Sequence, residues 1–203
     1  MSEQSPVSII HRKGVTAPVK GEPALLVSTT SSFKFITDDR GSGASMDLTI
    51  YRPAPVEGRF IVGDYAQGNY NPAEGAALII WAVNEDPNYP ILKAPTGFTQ
   101  IWNDRGSGAR LDTVIWRPVA PDGYITLGCV ATAENKQPEI ALYRCIRQDY
   151  VEDTGVGNLI WNDRKSGAHA SVSLWQLEGV RGAFVAQANY DPYIGQADKV
   201  AGK

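Results

Sequence analysis

The sequence predicts an all-β domain, and three observations carry that prediction. One segment recurs three times along the chain. Short runs rich in Val, Ile, Tyr, Trp and Thr are bounded by Gly, Pro, Asn and Asp, the pattern of strands joined by tight turns. No stretch holds a helical period over three turns.

The recurring segment comes first, because internal repetition constrains a fold more than local propensity does. From Phe35 to Pro53 the chain reads Phe-Ile-Thr-Asp-Asp-Arg-Gly-Ser-Gly-Ala-Ser-Met-Asp-Leu-Thr-Ile-Tyr-Arg-Pro. From Gln100 to Pro118 it reads Gln-Ile-Trp-Asn-Asp-Arg-Gly-Ser-Gly-Ala-Arg-Leu-Asp-Thr-Val-Ile-Trp-Arg-Pro. From Leu159 to Leu177 it reads Leu-Ile-Trp-Asn-Asp-Arg-Lys-Ser-Gly-Ala-His-Ala-Ser-Val-Ser-Leu-Trp-Gln-Leu. The motif Asp-Arg-x-Ser-Gly-Ala thus begins at Asp39, Asp104 and Asp163.

Flanking runs extend the similarity. After each core comes a glycine turn and an apolar run, at 58–66, 123–131 and 182–188. Before each core comes another, at 7–12, 77–83 and 140–146. Each repeat therefore offers four strand candidates. A single four-stranded sheet has one apolar face and cannot stand alone, whereas three such sheets can bury their inner faces around a threefold axis. The expected architecture is a β-prism of three four-stranded antiparallel sheets with pseudo-threefold symmetry.

The repeats occupy about 6–72, 75–135 and 138–192 of one domain spanning 1–203, with 193–203 as a frayed tail. Residues 13–32, with Pro18, Pro23 and a Ser/Thr cluster, are expected to form a long first-repeat loop. Tyr51, Trp116 and Trp175 recur at one position and are expected to wedge into the core.

Composition bounds the function. Of 203 residues, 43% are hydrophobic and 20% charged, as in globular proteins. The net charge of −3 gives no basic excess for nucleic acid. No apolar run reaches the length of a membrane span. The start of the chain, Met1 to Pro6, is polar and acidic rather than basic then apolar. The expected location is therefore the cytosol, with peripheral membrane association or leaderless release compatible with it. Cys129 and Cys145 lack zinc spacing and are expected as buried free thiols, while His11 and His169 have no partner cluster. No metal or cofactor is expected.

The pattern Trp-Asn-Asp-Arg-Gly-Ser-Gly-Ala-x-x-Asp…Trp-Arg-Pro, followed by Gly-Tyr-Ile-x-Leu-Gly, resembles the vacuolar protein sorting-associated protein sixty-two-related family. The resemblance covers roughly residues 7 to 190. It implies a β-prism-like fold. Related prisms serve as membrane-binding modules of endosomal sorting proteins and as targeting domains of pore-forming toxins, and others are lectins.

The repeated loop has chemistry of its own. Gly41 and Gly43, and equally Gly106 and Gly108, suit a turn that needs left-handed backbone. Successive amides in such a turn can form an anion-binding nest. The loops of repeats one and two supply Asp39, Arg40, Ser42 and Asp47, and Asp104, Arg105, Ser107 and Asp112. A sugar hydroxyl wants the carboxylates, and a phospholipid headgroup wants amides and Arg. The alternative is that each Asp braces its own turn. Repeat three has Lys165, Ser171 and Gln176 where the others have Gly, Asp and Arg, so sites one and two are the expected ligand sites. A second loop family reads Asn-Tyr-Asn-Pro at 69–72, Asn-Lys-Gln-Pro at 135–138 and Asn-Tyr-Asp-Pro at 189–192. Tyr70 and Tyr190 are candidate platforms for a sugar face or a lipid interface, or else pack on the sheet edge.

No nucleophile–base pair, metal cluster or phosphate loop announces catalysis. The sequence thus favours a non-catalytic module that recognises a glycan or lipid headgroup, with a membrane-targeting or toxin-like role. A self-assembling protein forming homo-oligomers, and an enzyme with its site at an open end of the prism, are the alternative readings.

Overall fold

The computed structural model describes residues 5–15 and 19–203. The chain begins with β1 (Ser8–Ile10), β2 (Ala24–Thr30), β3 (Phe33–Asp38), β4 (Thr49–Pro53), β5 (Phe60–Ile61) and β6 (Tyr65–Gln67). It continues with β7 (Ala77–Val83), β8 (Leu92–Lys93), β9 (Gly97–Asn103), β10 (Val114–Val119), β11 (Tyr124–Ile125) and β12 (Val130–Thr132). The last third holds β13 (Cys145–Arg147), a single 3-10 turn (Gln148–Tyr150), β14 (Val151–Asp153), β15 (Val156–Asn162), β16 (Ser173–Leu177), β17 (Phe184–Gln187) and β18 (Asp198–Val200). The fold is all-β, and the strands pair antiparallel in six small sheets.

Six small sheets replace the expected three four-stranded ones, and the glycines explain the difference. The apolar run 58–66 is not one strand. It breaks at Gly63, so β5 pairs with β7 while β6 pairs with β4. The run 123–131 breaks in the same way at Gly128, with β11 on β13 and β12 on β10. An alanine at residue 63 would place its Cβ 2.9 Å from the Cα of Gly128. Residue 63 therefore has no room for a side chain, because the two repeats touch there backbone to backbone.

Three sheets repeat one another: β3-β4-β6, β9-β10-β12 and β15-β16-β17. Their registers agree, with Ile50 opposite Ala66, Ile115 opposite Ala131, and Leu174 opposite Ala186. The inward members of these pairs are buried in one core with Leu48, Trp102, Trp161, Val172 and Phe184. At sheet borders β12 lies beside β3 and β15 beside β6. Trp102 and Trp161 meet edge to face at 5.7 Å.

Tyr51, Trp116 and Trp175 were expected in that interior. Each follows an inward residue by one position, so the period-2 strand turns it to the opposite face. Tyr51 joins Phe33, Phe35 and Tyr65 in an outer aromatic group. Trp116 is, as expected, a buried core residue, but of a second core, and Trp175 packs partly buried against a third.

The second set of sheets is β1-β2-β7-β5, β11-β13-β8 and β14-β18. β7, β13 and β18 hold equivalent places, each pairing with the strand that precedes a repeat sheet. Two expectations fail here. Residues 13–32 are not one long loop: β2 is a central strand with Leu25 and Val27 buried, although Pro18 lies outside the described residues. Residues 193–203 are not a frayed tail: Val200 is fully buried and pairs with Val151. The run at 140–146 was expected to be a strand, yet only Cys145 and Ile146 of it join β13.

Candidate functional site

Each Asp-Arg-x-Ser-Gly-Ala segment is the hairpin loop between the first two strands of a repeat sheet. The Asp carbonyl accepts the Ser amide in every copy: Ser42 to Asp39 at 3.0 Å, Ser107 to Asp104 at 2.8 Å, and Ser166 to Asp163 at 2.9 Å. The Ser hydroxyl then accepts the following Ala amide, at 3.1 Å in each copy. This is why Ser occupies that position: its short side chain reaches an amide two residues on. Gly41 and Gly106 adopt φ of +90° and +93°. Lys165 takes the same place at +71°, a conformation that costs a residue with a Cβ about 1–2 kcal/mol.

The loops meet at one end of the molecule in a closed ring of main-chain hydrogen bonds. The Arg110 amide donates to the Arg40 carbonyl at 3.0 Å. The His169 amide donates to the Arg105 carbonyl at 2.9 Å, and the Ser45 amide to the Arg164 carbonyl at 2.9 Å. Each repeat thus donates to one neighbour and accepts from the other, from equivalent positions. His169 joins this ring through its main-chain amide, and among the described residues no group of three or more His, Cys, Asp or Glu could hold a metal ion.

The motif carboxylates point inward. Asp39 accepts the Leu48 amide at 2.9 Å and the Trp161 indole at 2.9 Å, and Asp163 accepts the Val172 amide at 2.9 Å. Burial pushes the Asp39 carboxyl above its ordinary range, against the lowering effect of these donors. Asp104 is also raised, first by burial and further by the nearby Asp112, while the Thr113 amide opposes the shift. Asp47 and Asp112 are exposed, as are Gly41, Gly43, Arg105, Gly106 and Gly108, whereas Ser42 and Ser107 are buried.

The second loop family arrives at the same end. The Tyr70 hydroxyl donates to Asp39 at 2.7 Å, and the Arg40 guanidinium covers the Tyr70 ring at 4.2 Å. Burial and the two neighbouring carboxylates, Asp39 and Asp47, hold the Tyr70 hydroxyl in its protonated form. Tyr190 repeats the arrangement beside Asp163, with Arg164 over its ring at 4.1 Å. Both tyrosines are only half exposed, because each packs into its own repeat's loop.

Repeat two departs from this. Lys136 stands at the tyrosine's motif position and turns outward to pair with Glu134 at 2.8 Å. The space beside the loop is an open cleft of about 310 Å³ lined by Asn103, Asp104, Arg105, Ser107, Asp112 and Asn135. Asn103 and Asn135 were not singled out from the sequence, where each reads as an ordinary turn residue. A larger open groove, of about 830 Å³, runs along the border of repeats one and three, lined by Tyr65, Gln67, Leu159, Gln176 and Arg181 among others.

No curated protein is a significant match to the chain. The crystal structure of GNIP1Aa from Chromobacterium piscinae is similar, with a TM-score of 0.73 and 32% identity. The match covers 84% of this chain and 34% of that one, so the chain spans about a third of that protein's length. The family model for vacuolar protein sorting-associated protein 62 matches residues 20–190. By that match, and by the three equivalent loops that fall within it, the chain belongs to the vacuolar protein sorting-associated protein 62 family.

Proposed function

We propose that this chain is a non-catalytic binding module, a single domain whose ring-linked end recognises a glycan or a lipid headgroup. The three repeat sheets are read as the faces of a β-prism, with the Asp-Arg-x-Ser-Gly-Ala loops at one end. The observation that carries the reading is the ring. It joins three exposed loops into one rigid surface, which presents charged side chains with little ordering left to occur on binding. The match to about a third of a larger protein supports a module that works beside other domains. Asp39 and Asp163 brace their turns with Tyr70 and Tyr190 beside them, so ligand contact falls to Asp104, which lines the open cleft, and to the exposed members, Asp47, Arg105 and Asp112.

A glycan array and a liposome sedimentation assay test the proposal together. The wild-type chain should bind one of the two, and the double variant Asp47→Ala, Asp112→Ala should lose that binding while keeping its thermal midpoint. Undiminished binding by a folded double variant would place the site elsewhere, with the groove between repeats one and three the next candidate.

A further inference from the structure

We infer that the cleft of repeat two is the working site of the module, and that it takes a neutral sugar ring through its hydroxyl groups. The inference rests on the binding-module reading and narrows it to one repeat and one ligand class.

The repeats themselves supply the comparison. In repeat one a six-membered ring lies beside the loop. Its hydroxyl donates to Asp39, with Asp47 next to it, and an arginine covers its face. In repeat three the same ring lies beside Asp163 under Arg164. Repeat two keeps every receiving group, namely Asp104, Asp112 and Arg105, and supplies no ring. Asp104 is only 9% exposed, and among the described residues no side chain donates to its carboxylate. A buried carboxylate facing an open cleft without a side-chain donor is a strong acceptor awaiting one.

The groups choose the ligand. Asp104 and Asp112 repel phosphate, which argues against a lipid phosphate in this cleft. Two carboxylates and the amides of Asn103 and Asn135 together accept and donate to neighbouring hydroxyls, the pattern a sugar ring presents. Arg105 holds the motif position from which Arg40 and Arg164 cover their tyrosines, and it lines the cleft. The volume, about 310 Å³, lies at the small end of ligand pockets and suits a single ring.

The test screens the labelled wild-type chain on an array of neutral glycans. Calorimetry with the best hit then follows, along with vesicles containing phosphatidylserine or phosphoinositides. Two variants probe the cleft. Asn135→Tyr places an aromatic ring at its wall, and Asp112→Ala removes an exposed acceptor. Thermal midpoints confirm that both are folded. The expected result is one sugar site per chain, unaffected by EDTA, with affinity at least about tenfold weaker in each variant. Glycan binding unchanged in both variants, or abolished by EDTA, overturns the inference but leaves the module reading in place. Vesicle binding without any glycan binding does the same. Binding to neither overturns both.

Discussion

The carboxylate of Asp39 accepts the indole N–H of Trp161 at 2.9 Å, joining the loop of the first repeat to a strand of the third across 122 residues. The same indole nitrogen also reaches the Met46 carbonyl at 3.1 Å, and its ring packs edge to face on Trp102. One side chain thus ties the closed ring of loops to the core beneath it.

Trp161→Phe tests that tie. The variant keeps an aromatic ring but removes the donor and leaves a small void at a site 1% exposed. Urea unfolding should show a loss of about 2–3 kcal/mol with an unchanged m-value. A loss below about 0.5 kcal/mol would mean that the ring of loops holds itself without the tryptophan.

Arg52 and Asp64 form a two-pronged ion pair at 2.9 Å on both arms, with Asp64 fully buried and also accepting the Ala131 amide. Even so, burial outweighs Arg52 and holds the Asp64 carboxyl above its ordinary range. Arg52→Ala leaves a buried charge with no counter-ion and should cost about 3–5 kcal/mol. Adding Asp64→Asn removes that charge and should restore part of the loss, as thermal midpoints of the single and double variants will show.

Acid should treat this protein unusually. Asp39, Asp64 and Asp104 all have raised values in the folded state, with burial the largest cause. A raised acid binds its proton more tightly folded than unfolded, so its contribution to stability is full below the unfolded value of 3.8 and is lost as pH climbs through the folded value. Thermal midpoints taken from about pH 7 down to about pH 4.5 should show these groups stabilising the fold as pH falls. Asp104→Asn should flatten that slope. An identical slope in the variant would show that Asp104 does not titrate differently on folding.

Removing residues 195–203 should be costly. The deletion takes away β18, which pairs Val200 with Val151 and Asp198 with Asp153, and uncovers Val151 at 3% exposure. Burial of Val200 and cover over Val151 together are worth about 3 kcal/mol or more. A lowered thermal midpoint and faster hydrogen exchange at the Glu152 amide are expected. An unchanged midpoint would restore the reading of this segment as a frayed end.

Much of this was legible in the residues. The three Asp-Arg-x-Ser-Gly-Ala segments announced equivalent hairpins, because each position has a local job: Asp closes the turn, Ser reaches an amide two residues on, and Gly takes the left-handed backbone. The strand breaks at Gly63 and Gly128 were not legible. A glycine inside an apolar run looks the same whether the strand continues or leaves for another sheet, and only the close approach of repeats one and two decides it. The paired C-terminal segment escaped for a similar reason. Asp198–Val200 is too short to show alternation, and its partner, Val151–Asp153, lies far upstream, ahead of the third Asp-Arg-x-Ser-Gly-Ala loop.

The site divides along the same line. The sequence by itself determined the all-β class, the threefold repetition of one loop, and the residue types each loop carries, since all of these follow from interactions within a few neighbouring residues. Tertiary structure decided that the three loops close into a ring, that Asp39 meets Trp161, and that tyrosines fill the space beside two loops but not the third. These are contacts between segments far apart along the chain. Their distances are set by how the sheets bury their shared core, which no local pattern encodes.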